Sequence, residues 1–455
     1  MLKHLKRSRV TKALTDAGLA ASFGEAEALL DKVHVCVSVG EDQACTAAGQ
    51  AAALTALTTA YKCFGRVSLS VQTTETVLIA PLALDRTLEE AARTIGADVG
   101  PKIPDGVTHV VEVGQRQLWA GWRVQCWWDR WLAGTRVGGP SKVGDSRLAL
   151  SGVFAGALAI RQVFASVRTG ASGRAREATV SLWEPWREAD LADCGPARFT
   201  APGDLWLVGL GHLGQAFVWN LLLLPYREPR RAILQDDQRI DEENEATSLL
   251  VTATDIGRRK VRLASSWMEA GGWETSLIER RHQGDPPPFP DDPPFLLSGL
   301  DALPPRRRLA LAGFDYMIDA GIGHGPGDFE GIQVRVIAKG AALDELWDDP
   351  AENASRNRLL SGEAYQALEQ EIGACGTFTL ANASVAVPFV GAATGAIAIA
   401  QLIRVASMQA GGALIQLELA APEMVIDGGR SASPQAFLGG EIIDLDDIEV
   451  RACAA

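Results

Sequence analysis

Three glycines stand at 209, 211 and 214 in LWLVGLGHLGQAF, directly after an apolar run and directly before a helix-forming stretch. In that setting the first glycine permits a tight turn and the second lets a phosphate approach the backbone. The third lets helix and strand pack closely, with the helix N-terminus facing the anion. Asp236 ends the next strand-like run, where a carboxylate accepts hydrogen bonds from both ribose hydroxyls, and Asp237 is the alternative. Gly209, Gly211, Gly214 and Asp236 therefore predict a nucleotide site, and so far it suits NAD as well as ATP.

The residues that follow separate the two nucleotides. Asp236 is followed eight residues later by Asn244, and then by Asp255-Ile256-Gly257-Arg258-Arg259-Lys260. Further on, LLSGLDALPPRRRLA places Arg306 five residues after Asp301, and FDYMIDAGIG follows. In this order, from Leu205 to about Gln333, the chain resembles the ThiF, MoeB and ubiquitin-activating superfamily of ATP-dependent adenylating enzymes. The resemblance implies that Asp236 holds ribose, that Asn244 and Lys260 contact the ATP phosphates, and that Asp301 coordinates Mg²⁺. Displacing pyrophosphate calls for such a hard cation. One departure is Thr247, where the family usually carries an arginine. Related enzymes supply an arginine from a partner domain, which makes Arg7 and Arg9 candidates.

An acyl-adenylate is an activated carboxyl, and a nearby thiolate displaces AMP to give a thioester. Cys375, in EIGACGTFTLANASVAVPFVGAATGAIAIAQ, lies in a small-residue, Gly-flanked segment before an Ala-Gly-rich helix. Autophagy-type activating enzymes place a Cys-Thr motif in a comparable loop, so Cys375 is the candidate nucleophile. No histidine adjoins it in the sequence to serve as its base.

The elements that must position these residues occur twice. Val33 to Val39 reads as a strand that stops at Gly40, followed by an Ala-rich helix and the strand Val67 to Val71. Leu205 to Val208, Gly209, a helix through Leu224 and Ala232 to Gln235 repeat that order. GVFAGALAIRQVF aligns with VGAATGAIAIAQLI, matching Gly156 to Gly395 and Gln162 to Gln401. The first copy carries Glu41 and Asp42 where phosphate should approach, and no Asp ends its second strand. Carboxylates there repel ATP, so that copy reads as degenerate.

The expected fold class is α/β, with two fused Rossmann-like adenylation folds, the first degenerate and the second active, packed as a pseudo-dimer. The expected division is 1–200 for the inactive fold, 201–425 for the active one with a cysteine segment at about 340–387, and 426–455 as a short tail. Within the first fold, WAGWRVQCWWDRW gathers Trp119 to Trp131, with core or interface packing set against a docking surface.

Composition excludes several classes. A chain of 455 residues with 47% hydrophobic residues needs more than one core, and a net charge of -13 argues against nucleic-acid or anionic-membrane binding. Seven scattered cysteines without a CxxC pair predict free thiols in a reducing, cytoplasmic setting and no zinc knuckle. The implied function is ATP-dependent activation of a ubiquitin-like protein, with ATP and Mg²⁺ as cofactors and a conjugating enzyme as second partner. The compact inactive-plus-active plan resembles activating enzymes of bacterial antiviral conjugation operons. A sulfur-carrier or peptide substrate, an NAD-dependent oxidoreductase and a non-catalytic scaffold are the alternatives, and homo-oligomer formation stays open.

Overall fold

The computed structural model describes residues 7–448 except 73–74, 80–81, 83, 85, 116, 118, 140, 171–174, 191–192, 284–288, 290, 324, 326, 343–346 and 348–362. Of residues 371–379 and 382 it describes the backbone alone. The Pro-rich segment from Gly284 lies partly outside the described residues.

The first half begins with helices α1 (Ser8–Thr15) and α2 (Phe23–Asp31) and continues with β1 (Val35–Val39), α3 (Glu41–Ala44), α4 (Ala47–Phe64) and β2 (Val67–Val71). Then come α5 (Leu88–Ile95), β3 (Asp98–Gly100), β4 (His109–Val113), β5 (Trp122–Asp129), β6 (Leu132–Arg136), α6 (Ala149–Thr169) and β7 (Ala178–Ser181). The second half opens with β8 (Arg198–Pro202), β9 (Leu205–Val208), α7 (His212–Leu222), β10 (Arg230–Gln235), α8 (Glu242–Thr247), α9 (Lys260–Ala270) and β11 (Trp273–Ile278). It continues through β12 (Phe295–Ser298), α10 (Leu303–Ala310), β13 (Tyr316–Ile322), β14 (Gly331–Ala338), α11 (Glu363–Asn382) and α12 (Pro388–Ala406). It closes with β15 (Ile415–Glu418), β16 (Ala421–Asp427) and β17 (Gly440–Asp444).

The two sheets share one topology. The first runs β3-β2-β1-β4-β5-β6-β7 and the second β11-β10-β9-β12-β13-β14-β15-β16. In each, the first five strands are parallel and the later ones antiparallel. These are two Rossmann-like α/β folds. The strand-like run near Glu441 forms β17, which pairs with β8 beside the boundary between the halves. The sequence reading missed β16, whose mostly outward residues leave no apolar run.

Close helix packing explains the repeated glycines. In the first half a Cβ on Gly152 or Gly156 would meet the Ala48 or Ala52 carbonyl of α4. In the second half Gly391 faces His212 and Gly395 faces the Ala216 carbonyl of α7. The same two-step contact therefore joins each glycine helix to the helix after its first strand. The matched glutamines act alike as well. Gln162 accepts from the Arg176 N–H (2.6 Å) and Gln401 from the Gly412 N–H (3.1 Å), each fixing the chain that enters the next strand.

One apolar core runs through both halves, with α6 and α12 as its fully or largely buried centre. Phe164 of α6 meets Phe389 of α12 at 5.5 Å between ring centroids. These two helices are long and apolar enough to span a membrane, but they are core helices. Trp128 and Trp131 are fully buried, so the tryptophan cluster is largely core. Trp119, Trp122 and Trp127 are only partly covered, and Arg136 stacks over Trp127 at 4.0 Å. A separate small cluster of Phe23, Tyr365, Leu368, Leu380 and Ala381 docks α11 on α2.

The cysteines depart from expectation at one position. Cys36, Cys63, Cys126 and Cys194 are free, whereas Cys45 is disulfide-bonded. Pairing depends on which residues the fold brings together, and sequence spacing does not report that.

Candidate active site

The glycine turn is built as its spacing requires. Gly209 has φ +82°, a left-handed conformation that favours glycine, and its N–H donates to the Gln235 carbonyl at 3.0 Å. A side chain on Gly214 would be driven into the Gly209 carbonyl oxygen. Gly211 caps the start of α7, and its Cβ position looks out at the Lys260 Nζ, 3.8 Å away. Sheet, turn and helix N-terminus thus leave open the space in which a phosphate would meet backbone N–H groups.

Asp236 is buried at the end of β10. Its Oδ2 accepts from the Leu210 N–H inside the turn and its Oδ1 from the Gln238 N–H, both at 2.7 Å. Each carboxylate oxygen keeps a lone pair in reserve, and the turn fixes the group's direction. The Lys260 Nζ donates to the Gln238 Oε1 at 2.7 Å, and its remaining N–H bonds have no partner among the described residues. Asn244 sits in a capping box with Asp241: its side-chain Oδ1 accepts from the Asp241 N–H at 3.1 Å. Its amide Nδ2 has no partner among the described residues. Lys260 and Asn244 thus each keep an unused side-chain donor, that of Lys260 beside Gly211.

The helix that carries Asn244 is held from the other half. Lys62 of α4 reaches across, and its Nζ donates to the Glu245 and Val251 carbonyls, each at 2.7 Å. Nothing in the sequence flagged Lys62, because its acceptors are backbone atoms far along the chain. Of the two arginine candidates, Arg7 is spent within its own half on Glu27, Asp31 and the Cys63 carbonyl. Arg9 instead faces the second half. It donates through Nε to the Ser384 carbonyl (2.9 Å) and through Nη2 to the Ser384 Oγ (2.7 Å), and Nη1 has no partner among the described residues. Its charge is felt by His212 and Glu243, which border the turn and α8.

Asp301 lies three residues past the end of β12, exposed in the turn before α10 rather than on the strand. Among the described residues no three carboxylate, thiol or imidazole groups gather as a metal cage. A single exposed carboxylate still fits Mg²⁺, which binds through one or two carboxylates together with substrate phosphates. Arg306 has a different role. It is buried against Asp319 of β13, with Nε donating to Oδ1 at 2.9 Å, and so ties α10 to the sheet. The sequence motif held Arg306 but did not reveal this pairing.

In the first half the equivalent opening is filled. Asp42, at the start of α3, accepts from the Gln115 N–H at 2.8 Å, and its carboxylate crowds Gly40 and Gly114. A carboxylate thus sits against the turn and takes the Gln115 N–H, and its charge repels an incoming phosphate. Cys375 falls within the backbone of helix α11 and not in a loop, and its side chain lies outside the described residues.

Comparison with known proteins agrees with this duplicated architecture. A model of the BilD N-terminal domain matches residues 34–182, and one of the BilD C-terminal domain matches residues 201–409. The chain belongs to the BilD family. The bacterial E1-like protein BilD of Collimonas sp. (strain OK412) is 33% identical over 421 residues, covering 89% of each protein. Membership places the chain in a family of ubiquitin-like-protein activating enzymes, with a small ubiquitin-like protein as the general kind of partner.

Proposed function

We propose that the second half binds MgATP and adenylates the C-terminal carboxylate of a ubiquitin-like protein. The observation that carries this reading is the convergence of the Gly209–Gly214 turn, the Asp236 carboxylate locked to Leu210 and the Lys260 ammonium over Gly211. Asp236 orients the ribose, while Lys260, Asn244 and the N-terminus of α7 bind phosphate oxygens. Arg9 is the arginine offered from the partner half, which Thr247 does not supply. Asp301 would hold Mg²⁺, which supplies charge neutralisation on the phosphates when bound.

In the first step a carboxylate oxygen of the substrate attacks the α-phosphorus, and pyrophosphate leaves with the electron pair. In the second, the Cys375 thiolate attacks the acyl carbon and AMP leaves, giving a thioester that a conjugating enzyme accepts on its own thiol. Cys375 must lose its proton to act. The resemblance to antiviral conjugation operons supports a role in bacterial defence, and a cytoplasmic setting suits ATP chemistry of this kind.

The test is a covalent adduct with the cognate ubiquitin-like protein. The adduct should form with ATP, be released by dithiothreitol, and vanish in Cys375→Ala while adenylation persists. An adduct that survives in Cys375→Ala would assign the thioester to another thiol.

A further inference from the structure

Gln238 lies outside the residues that the glycine turn and its spacing single out, yet three hydrogen bonds converge on it. It is an exposed residue two positions past Asp236, in the short stretch 238–240 that runs antiparallel to 257–260. Its backbone N–H donates to the Asp236 Oδ1 at 2.7 Å, and its backbone carbonyl accepts from the Lys260 N–H at 3.1 Å. Its side-chain Oε1 accepts from the Lys260 Nζ at 2.7 Å. That same ammonium stands 3.8 Å from where a Cβ on Gly211 would lie. One residue therefore ties the carboxylate at the end of β10 to the start of α9 and to the tip of its lysine.

A lysine ammonium is a point charge on a flexible four-carbon stem, so fixing it in one place takes a bond to its tip. The Gln238 Oε1 accepts one of its three N–H bonds and leaves the others for phosphate oxygens. The neutrality of this acceptor matters as much as its position. A carboxylate at the same distance would hold the ammonium and cancel the positive charge that attracts a phosphate, whereas an amide oxygen holds it and leaves that charge whole.

We propose that Gln238 is a positioning residue for the phosphate end of the nucleotide: its side-chain oxygen holds the Lys260 ammonium beside the glycine turn without neutralising it, while its backbone ties that lysine to the ribose-binding Asp236. The proposal rests on the adenylation reading and adds to it a residue whose side chain acts only through Lys260. Its effect therefore falls on the phosphates and not on the nucleoside.

Calorimetric titration of the full chain with ATP and with adenosine tests it, because substitutions at Gln238 keep the backbone bond to Asp236. Gln238→Met removes the acceptor at similar length and should weaken ATP by about fivefold to tenfold, with adenosine within about twofold. Gln238→Glu keeps an acceptor but adds a negative charge, and should weaken ATP at least as much while again sparing adenosine. In Lys260→Ala, which should itself weaken ATP by about tenfold, adding Gln238→Met should change ATP affinity by less than about twofold. Unchanged ATP affinity in Gln238→Met or in Gln238→Glu overturns the proposal. An equal loss of adenosine and ATP also overturns it, because that is what a merely structural glutamine would show, and so does a full further loss on top of Lys260→Ala. A wild-type chain that did not bind ATP at all would instead remove the adenylation reading itself.

Discussion

Replacing Lys62 with Met removes the ammonium that joins α4 to the carbonyls of Glu245 within α8 and of Val251 beyond its end. Hydrogen bonds to a charged group contribute about 1.5–3 kcal/mol each, so the two together represent about 3–6 kcal/mol. Methionine has similar volume and carries no desolvation cost, which returns part of that sum, although the two carbonyls lose the bond to the ammonium. The expected net loss is about 2–4 kcal/mol, read as a urea midpoint lowered by about 1 M. The same substitution frees the helix that holds Asn244, so the affinity for ATP should fall together with stability. Equilibrium urea unfolding and ATP titration of the same preparation are the assays. A Lys62→Met chain with the wild-type midpoint and wild-type ATP affinity would refute the idea that the first half serves as a brace for the second.

Other outcomes follow from the same geometry. Gly214→Ala forces a Cβ into the Gly209 carbonyl and should abolish ATP binding, measured by titration, while the first half, which does not contain the turn, keeps its fold. Arg7→Ala and Arg9→Ala should separate cleanly. The first breaks a buried pair with Glu27 and costs about 3–5 kcal/mol of stability. The second leaves the melting temperature nearly unchanged and weakens ATP by about tenfold, or about 1.4 kcal/mol. Acid should destabilise the protein as pH falls below about 6.5. Burial pushes the pKa of His109 down from 6.5 to about 4, so the unfolded chain takes up a proton that the folded one refuses. Stability held above pH 6.5 should decline as pH falls toward 4, and His109→Gln should make that slope shallower in pH-dependent urea unfolding, with buried His212 still contributing in the same direction.

The sequence exposed most clearly what depends on local pattern. Alternating Val35–Val39 and the glycines at 209, 211 and 214 encode strand and turn within a few residues, and the repeated Gly156 and Gly395 encode helix contacts that recur in space. Asp236 and Lys260 were readable because each follows the turn at a fixed interval along one βαβ path. What stayed hidden depends on long-range encounters. Lys62 meets α8 through backbone carbonyls, Arg306 finds Asp319 across a helix and a strand, and His212 meets Gly391 only where α12 returns to α7. Choosing between Arg7 and Arg9 likewise required the fold, since both lie on one basic segment but face different halves.

Pyrophosphate exchange into ATP tests adenylation most directly. With Mg²⁺ and the cognate ubiquitin-like protein, the wild-type chain should exchange labelled pyrophosphate into ATP, and Asp236→Ala and Asp301→Ala should lose that exchange. No exchange by the wild type, together with tight binding of NAD, would contradict the account.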